Sequence, residues 1–176
     1  MIHLNPYEMQ GEGKKELANE YFSLIVYVTL AVSIVVGFIC FALAPQIALA
    51  LGADGELEAD CVRYSRILFL SSPAFVMQYL FQSFFIAAEK PTLSLKVNVI
   101  AGLTNAVLDY VLIVVFPLGL VGAALATAAG QLVGGIIPVI YFSRENGSLL
   151  QLGKAKWHGK VIWQTVTNGS SELVTN

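Results

Sequence analysis

The sequence is poor in charge, in cysteine and in the short motifs that identify an enzyme. Only 12% of its residues are Asp, Glu, Lys or Arg, whereas a soluble domain carries about 25%. Cys40 and Cys61 form no metal or disulfide pattern, and His3 and His158 lie in polar segments without the neighbours that a catalytic motif needs. No block of Lys and Arg indicates nucleic acid. We therefore expect no enzyme, no cofactor, no metal site and no nucleic-acid partner.

Apolar residues dominate the chain instead. Ala, Val, Ile, Leu, Met, Phe, Trp, Tyr and Cys make up 56% of it, and the mean hydropathy is +0.70. Four apolar segments reach the roughly 20 residues that cross a bilayer as a helix, and a chain of this length cannot surround them with enough polar surface for a soluble fold. The sequence predicts an all-α, polytopic transmembrane bundle with four complete spans and a partial fifth.

Prolines and polar stretches set the expected boundaries of these segments. Pro45 ends the first span with a kinked extra turn behind it, an acidic loop covers residues 52–60, and Pro73 bends the second span. The final sixteen residues are too few for a complete span, so the chain is interpreted as cut off inside a helix. The expected elements are a polar lead-in at 1–20 with a loop at 11–15, spans at 21–44, 62–88, 93–116 and 119–142 (together 21–143), a hydrophilic linker at 144–160 and a partial helix at 161–176.

The positions of Lys and Arg predict the orientation. Under four alternating spans, eight basic residues fall on one side of the membrane, and only Arg63 and Arg66 lie toward the other. The richer side is cytoplasmic by the positive-inside rule. We expect a multi-pass protein of the inner or plasma membrane, embedded in membrane lipid, with a cytoplasmic N-terminus and linker.

Polar side chains form stripes inside the second and third spans. Asn98, Asn105 and Asp109 are offset by seven and eleven residues, which returns them to nearly one side of a helix. Gln78 and Gln82 share one face of the preceding span. Amides at this depth need partners, so these residues either line a cavity or hydrogen-bond between helices.

Asp109 and Glu172 are the two acids considered as transport or cation-coupling residues. Asp109 is the only acid in the four complete spans and can serve as a proton or cation site, or as the counter-charge of a cationic substrate. The alternative is a hydrogen bond to a neighbouring helix, because Asp109 lies only about 10 Å from the outer end of its span.

Glu172 belongs to a polar ridge in which Gln164, Asn168, Glu172 and Asn176 recur every four residues. In a fifth helix Glu172 would lie near the membrane midplane, about 15 to 18 Å from the helix entrance. It is the strongest site candidate, and Asn168 is a cavity-lining or interhelical candidate. The alternative is an amphipathic surface helix or a frayed end.

The fourth span repeats small residues at a spacing of four. This spacing aligns them on one face, where neighbouring helices can approach closely in lipid. The predicted packing residues are Gly122, Ala126, Gly130 and Gly134.

Several of these segments together resemble the multidrug and toxic compound extrusion (MATE) family of the flippase-like exporter superfamily. The resemblance covers about residues 11–176. It is carried by GEGKKELA at 11–18, EKP at 89–91, Asn98 with NAVLD at 105–109, and GLVGAALATA at 119–128.

The resemblance implies a cation-coupled multidrug efflux antiporter that exports lipophilic or cationic compounds by alternating access, with a proton or sodium ion as coupling ion. Family members have twelve helices in two lobes, so this chain resembles helices three to six and the start of helix seven. Its further partners are then the missing helices, and the chain alone is expected to be inactive. Asp109 matches the Asn-x-x-Leu-Asp pattern of the family, and Glu172 lies near a seventh-helix acid of some members.

The sequence is compatible with two other functions. A lipid-linked sugar flippase of the same superfamily would need a strongly basic cavity, whereas only Arg63 and Arg66 lie close to the membrane on the outer side. A non-transporting four-helix membrane protein that binds partners is the other alternative.

Overall fold

The computed structural model describes residues 6–148, 150–160, 162–163 and 167. Within these ranges the chain is mostly helical and contains no strand. The elements are α1 (Pro6–Ala42), the short α2 (Ala44–Ala50), α3 (Gly55–Ala87), α4 (Pro91–Asp109) with a π-helical continuation (Tyr110–Val115), and α5 (Gly119–Ser143).

Four stretches of these helices are long and apolar enough to cross a membrane. Large apolar side chains remain exposed along them, such as Phe38 at 62% and Leu103 at 61% of their accessible surface. A surface of this kind is suited to lipid rather than to water. The predicted all-α bundle with four spans is confirmed, and the stretches are Lys14–Ala42, Leu57–Ala87, Pro91–Val115 and Gly119–Ser143.

Two predicted loops prove to be largely helical. Residues 11–15 belong to α1, which begins at Pro6, because proline suits the first helical turn and Glu, Lys, Leu and Ala favour a helix. The acidic loop shrinks to residues 52–54, since α3 begins at Gly55. Acidic residues near the start of α3 interact favourably with the positive end of the helix dipole.

Proline lies in the first turn of one helix and in the middle of another, and the predicted bend at Pro73 stays a prediction. The extra turn is α2, which has Pro45 in its first turn. In α3, Pro73 cannot donate a hydrogen bond to the Phe69 carbonyl. The Ser72 hydroxyl donates to that carbonyl instead, at 2.8 Å. Gly37 of α1 packs at this point, where a Cβ would lie 2.8 Å from the Phe69 oxygen.

An aromatic cluster joins α1, α3 and α5 near the C-terminal end of α5. Phe142 is fully buried, and its ring centroid lies 5.1 Å from that of Phe22, 5.6 Å from that of Phe81 and 4.9 Å from that of Phe85. Large apolar rings packed in this way contribute both buried area and favourable ring geometry. The cluster therefore fixes three helices at one end of the bundle.

Residues 150–156 lie along α1 and are called the strap below. The Gln151 amide donates to Asn19 Oδ1 and the Gly153 amide donates to Ser23 Oγ, each at 3.0 Å. The Tyr27 hydroxyl donates to the Gly153 carbonyl at 3.0 Å. Asn19, Ser23 and Tyr27 lie four residues apart, so one face of α1 provides hydrogen-bond partners for the non-helical backbone of the strap.

Charged groups hold the far end of the strap. Lys156 Nζ lies 2.8 Å from a Glu20 carboxylate oxygen, and His158 Nε2 lies 3.4 Å from the other oxygen. The hydrogen bond from Lys156 to Glu20 raises the pKa of the Lys156 ammonium above its ordinary value. The linker is thus attached to the bundle along this stretch.

The four predicted packing residues of α5 are all buried. Ala126 has no exposed surface. A Cβ added at Gly122 would lie 2.8 Å from the Leu112 carbonyl oxygen, and one at Gly130 would lie 2.9 Å from the Ala101 carbonyl oxygen. Gly134 contacts the Gln78 side chain. Helix α5 therefore packs closely against both α3 and α4.

We predict that Gly135→Ala destabilises the bundle by about 1 to 3 kcal/mol, the usual cost of overpacking. The added Cβ would lie 2.8 Å from the Ala74 carbonyl oxygen, and a backbone atom cannot rotate away. Gly102→Ala is the matched control, because its Cβ would have no atom within 4 Å. Denaturant titration of helical circular dichroism in mixed micelles measures both. Equal stability of the two variants would contradict the packing argument.

Candidate functional site

A polar cleft of about 440 Å³ lies between α3, α4 and α5, at the level of the apolar spans. Its lining combines amide and hydroxyl groups with two aromatic rings. The residues are Phe75, Gln78, Tyr79 and Gln82 from α3, Asn98, Ala101, Gly102 and Asn105 from α4, and Thr127, Gly130 and Gln131 from α5.

The centre of the cleft is a cluster of three amides. Asn98 Oδ1 accepts hydrogen bonds from Gln82 Nε2 at 2.8 Å and from Gln78 Nε2 at 3.2 Å. Both donors on α3 thus converge on one acceptor on α4. Gln78, Gln82 and Asn98 were predicted either to line a cavity or to hydrogen-bond between helices. In the structure they do both.

Asn105 also lies on the α4 side of the cleft, but it does not join the cluster of three amides. Its Nδ2 atom is buried and has no hydrogen-bond partner among the described residues. Its Cβ lies close to Gly130, since a Cβ at Gly130 would approach it to 3.0 Å. A buried amide donor without a partner is costly, so this position is one where a ligand, a water molecule or another helix would contribute a favourable hydrogen bond.

Asp109 does not line this cleft. It is half-buried and is the last residue of α4 before the π-helical segment Tyr110–Val115. Within the described ranges its carboxylate makes no hydrogen bond or ion pair, so the bond to a neighbouring helix, which was the alternative interpretation of Asp109, is not present there. The π-helical segment was not predicted, and such segments often lie at functional sites.

Two other predicted site residues, Asn168 and Glu172, lie outside the described residues. Their assignment as interhelical and coupling residues therefore stays a prediction. The packing residues Gly130 and Gly134 take part in the site indirectly, because each lies against an amide side chain of the cleft, Asn105 and Gln78 respectively.

The contribution of α5 to the cleft was not predicted from the sequence. Thr127 and Gln131 lie four residues apart on α5 and both line the cleft, and the Ser71 hydroxyl of α3 donates to Gln131 Oε1 at 2.7 Å. A signal was present, because these two residues share one helix face in an otherwise apolar or small-residue span. The repeat of small residues concealed it.

We predict that Asn98→Ala and Gln82→Leu are energetically coupled. Each change removes the same interhelical hydrogen bond, so the double variant should lose less stability than the sum of the single ones. The coupling energy should be about 0.6 kcal/mol, and at most about 1.7 kcal/mol, as for other hydrogen bonds between membrane helices. A double-mutant cycle of denaturant unfolding in micelles measures it, and strictly additive losses would contradict the bond.

More than half of the chain matches a known protein family. Residues 9–111 match the family MatE. Among curated proteins, the chain is 32% identical over 139 residues to the multidrug export protein MepA of Staphylococcus haemolyticus, covering 78% of this chain and 31% of that protein. It is 31% identical over 137 residues to MepA of Staphylococcus aureus, covering 76% and 30% respectively. The chain thus spans about a third of the length of these relatives.

A solved structure shares the fold. It is the inward-facing conformation of a multidrug resistance MATE family transporter of the MOP superfamily, and it matches with a TM-score of 0.79 at 17% sequence identity. The match covers 89% of this chain and 36% of that one. Identity at this level shows a common fold only.

Proposed function

Because this chain belongs to the MatE family, we propose that it forms part of a multidrug efflux transporter that exports lipophilic or cationic compounds. The match of the family to residues 9–111 is the observation that carries the proposal. The multidrug export proteins from two staphylococci support it, since they resemble more than three quarters of this chain.

The polar cleft supports the same function through its chemistry. The oxygen atoms of Gln78 and Gln82 have no hydrogen-bond partner among the described residues, so they are available as acceptors. Phe75 and Tyr79, whose rings pack edge to face at 4.8 Å, add aromatic surface. Carbonyl oxygens and aromatic rings both attract organic cations, and the rings also accept lipophilic groups.

Coupling to a proton or a sodium ion is part of the proposal. A carboxylate that is exposed alternately to the two sides of the membrane can bind a cation and a cationic substrate in competition. Asp109 suits this role because it is a half-buried residue of a spanning helix and its carboxylate has no partner within the described ranges. Glu172 is proposed on sequence grounds alone.

The proposed location is the cell membrane, with the N-terminus, the linker and the strap on the cytoplasmic side. The excess of Lys and Arg at these segments supports this orientation. Alternating access then requires a second lobe, and the unmatched length of the relatives, about two thirds, is enough to contain one.

We predict that the 176-residue chain alone does not transport. These 176 residues form four spans around one cleft and cover about a third of the length of their relatives, so by themselves they cannot supply both lobes of an alternating-access transporter. Purified chain in proteoliposomes should give dye efflux at the rate of empty liposomes when a proton or sodium gradient is imposed. Gradient-dependent efflux above that rate would overturn this prediction.

In a longer protein that contains this chain, Asp109→Asn and Glu172→Gln should each remove most of the ion-driven efflux, because the neutral amides cannot bind the coupling cation as a carboxylate does. Glu145→Gln is the control, since Glu145 is an exposed acid of the linker. Efflux of a fluorescent cation under an imposed gradient measures all three. A variant with unchanged efflux removes that acid from the mechanism.

A further inference from the structure

A second cavity lies away from the polar cleft, at the N-terminal end of the first span. It is a groove of about 490 Å³ between α1, α3 and the strap. Ile25, Phe84 and Leu150 are among its apolar lining residues, and Lys14 and Lys15 are its basic ones. No residue of the groove lines the polar cleft.

Two neighbouring faces of α1 have different roles, since one lines the groove and the other binds the strap. Lys14, Ala18, Tyr21 and Ile25 are separated by four, three and four residues, so they form one face of the helix. The neighbouring face carries Asn19, Ser23 and Tyr27, which bind the strap. Because the strap is held there, Leu150 can form one wall of the groove.

The opposite wall comes from α3. Phe84 packs edge to face against Phe22 with a centroid distance of 4.6 Å. Ala87, the last residue of α3, also lines the groove. The small side chain of Ala87 leaves room at the end of the helix where a larger residue would fill the space.

The two lysines provide positive charge at one end of the groove. Lys14 and Lys15 are exposed, and neither forms an ion pair within the part of the chain that the structure describes. Lys156 differs, since its ammonium is paired with Glu20. An anionic group is therefore the complement that this end of the groove lacks.

The length of the groove along α1 matches the thickness of one leaflet of a bilayer. From Lys14 to Ile25 the helix rises about 16 Å, which is close to half of the roughly 30 Å hydrocarbon core. A ligand with its anionic group at the lysines and an apolar chain along Ile25 and Phe84 would thus lie at the depth of a membrane lipid. The predicted orientation places this end at the cytoplasmic leaflet, where anionic lipids are enriched.

We propose that the groove binds an anionic phospholipid, with its phosphate at Lys14 and Lys15 and one acyl chain between Ile25, Phe84 and Leu150. This site is independent of the transport function, because it uses none of the residues of the polar cleft and requires no second lobe.

Native mass spectrometry of the purified 176-residue chain tests the head-group half of the proposal. After delipidation, the chain is titrated with dioleoylphosphatidylglycerol or dioleoylphosphatidylcholine. The unmodified chain should prefer the anionic lipid. Lys14→Gln with Lys15→Gln should weaken phosphatidylglycerol binding about tenfold or more, in line with the contribution of each basic residue to an anionic surface.

The matched control for the lysines is Lys90→Gln with Lys96→Gln. It removes the same charge from the same predicted side of the membrane but from residues outside the groove. Phosphatidylglycerol binding should stay within about threefold of the unmodified chain, since charge outside the groove acts only through screened, long-range attraction. Equal losses in the two double variants would show general attraction to the surface and overturn the proposal.

A second pair of variants tests the acyl-chain half. Ala87→Trp should fill the groove and reduce binding of both lipids, whereas Ile86→Trp adds the same ring at an exposed neighbouring position outside the groove. Unchanged lipid binding by Ala87→Trp would overturn the groove as the site. So would lipid binding that occurs in this chain but is absent from a longer protein, because another helix would then occupy the groove.

Discussion

Close approach of α5 to its neighbours is the constraint on which the rest of the bundle depends. In lipid the hydrophobic effect does not bring helices together, so packing and hydrogen bonds must do so. Gly130 and Gly134 let α5 lie directly against α4 and α3, and the side chains they meet are Asn105 and Gln78. The small residues therefore also set the positions of polar groups in the cleft. The same helix contacts thus determine both the packing of the bundle and the geometry of the cleft.

The two ends of the bundle are stabilised by different means. Near the C-terminal end of α5, Phe142 packs among the rings of α1 and α3, and the strap closes over α1 through backbone hydrogen bonds to Ser23 and its neighbours. At the other end α4 loses its regular hydrogen bonding after Asp109, where the π-helical segment begins. The end of the bundle that carries Asp109 is therefore the less regular one. Short π-helical segments are rare and often lie at functional sites.

The spans and the amide stripe could be predicted because they depend on local patterns. A run of apolar residues is enough to identify a spanning helix, and offsets of seven residues are enough to align Asn98 with Asn105. The start of α1 could not be placed, because Gly11 and Gly13 indicate a loop while their neighbours favour a helix. The strap was also not predictable, since it depends on contacts about 130 residues apart in sequence, such as Gly153 with Ser23, and no local pattern records them. The MATE resemblance, read from four short motifs, is confirmed by the family match.

The lining of the cleft also bears on which ligands it suits. Asn98 Oδ1 is already occupied by two donors, which leaves the oxygens of Gln78 and Gln82 as acceptors. No Lys or Arg lines this cleft among the described residues, so it offers no fixed positive charge for a phosphate group. A phosphate-bearing lipid-linked sugar could accept a hydrogen bond from Asn105 Nδ2. The acceptor oxygens of Gln78 and Gln82 would still face its negative charge, which is unfavourable at low dielectric. An organic cation would instead meet acceptor oxygens and aromatic faces. The electrostatics of this cleft thus suit an organic cation better than a phosphate-bearing lipid.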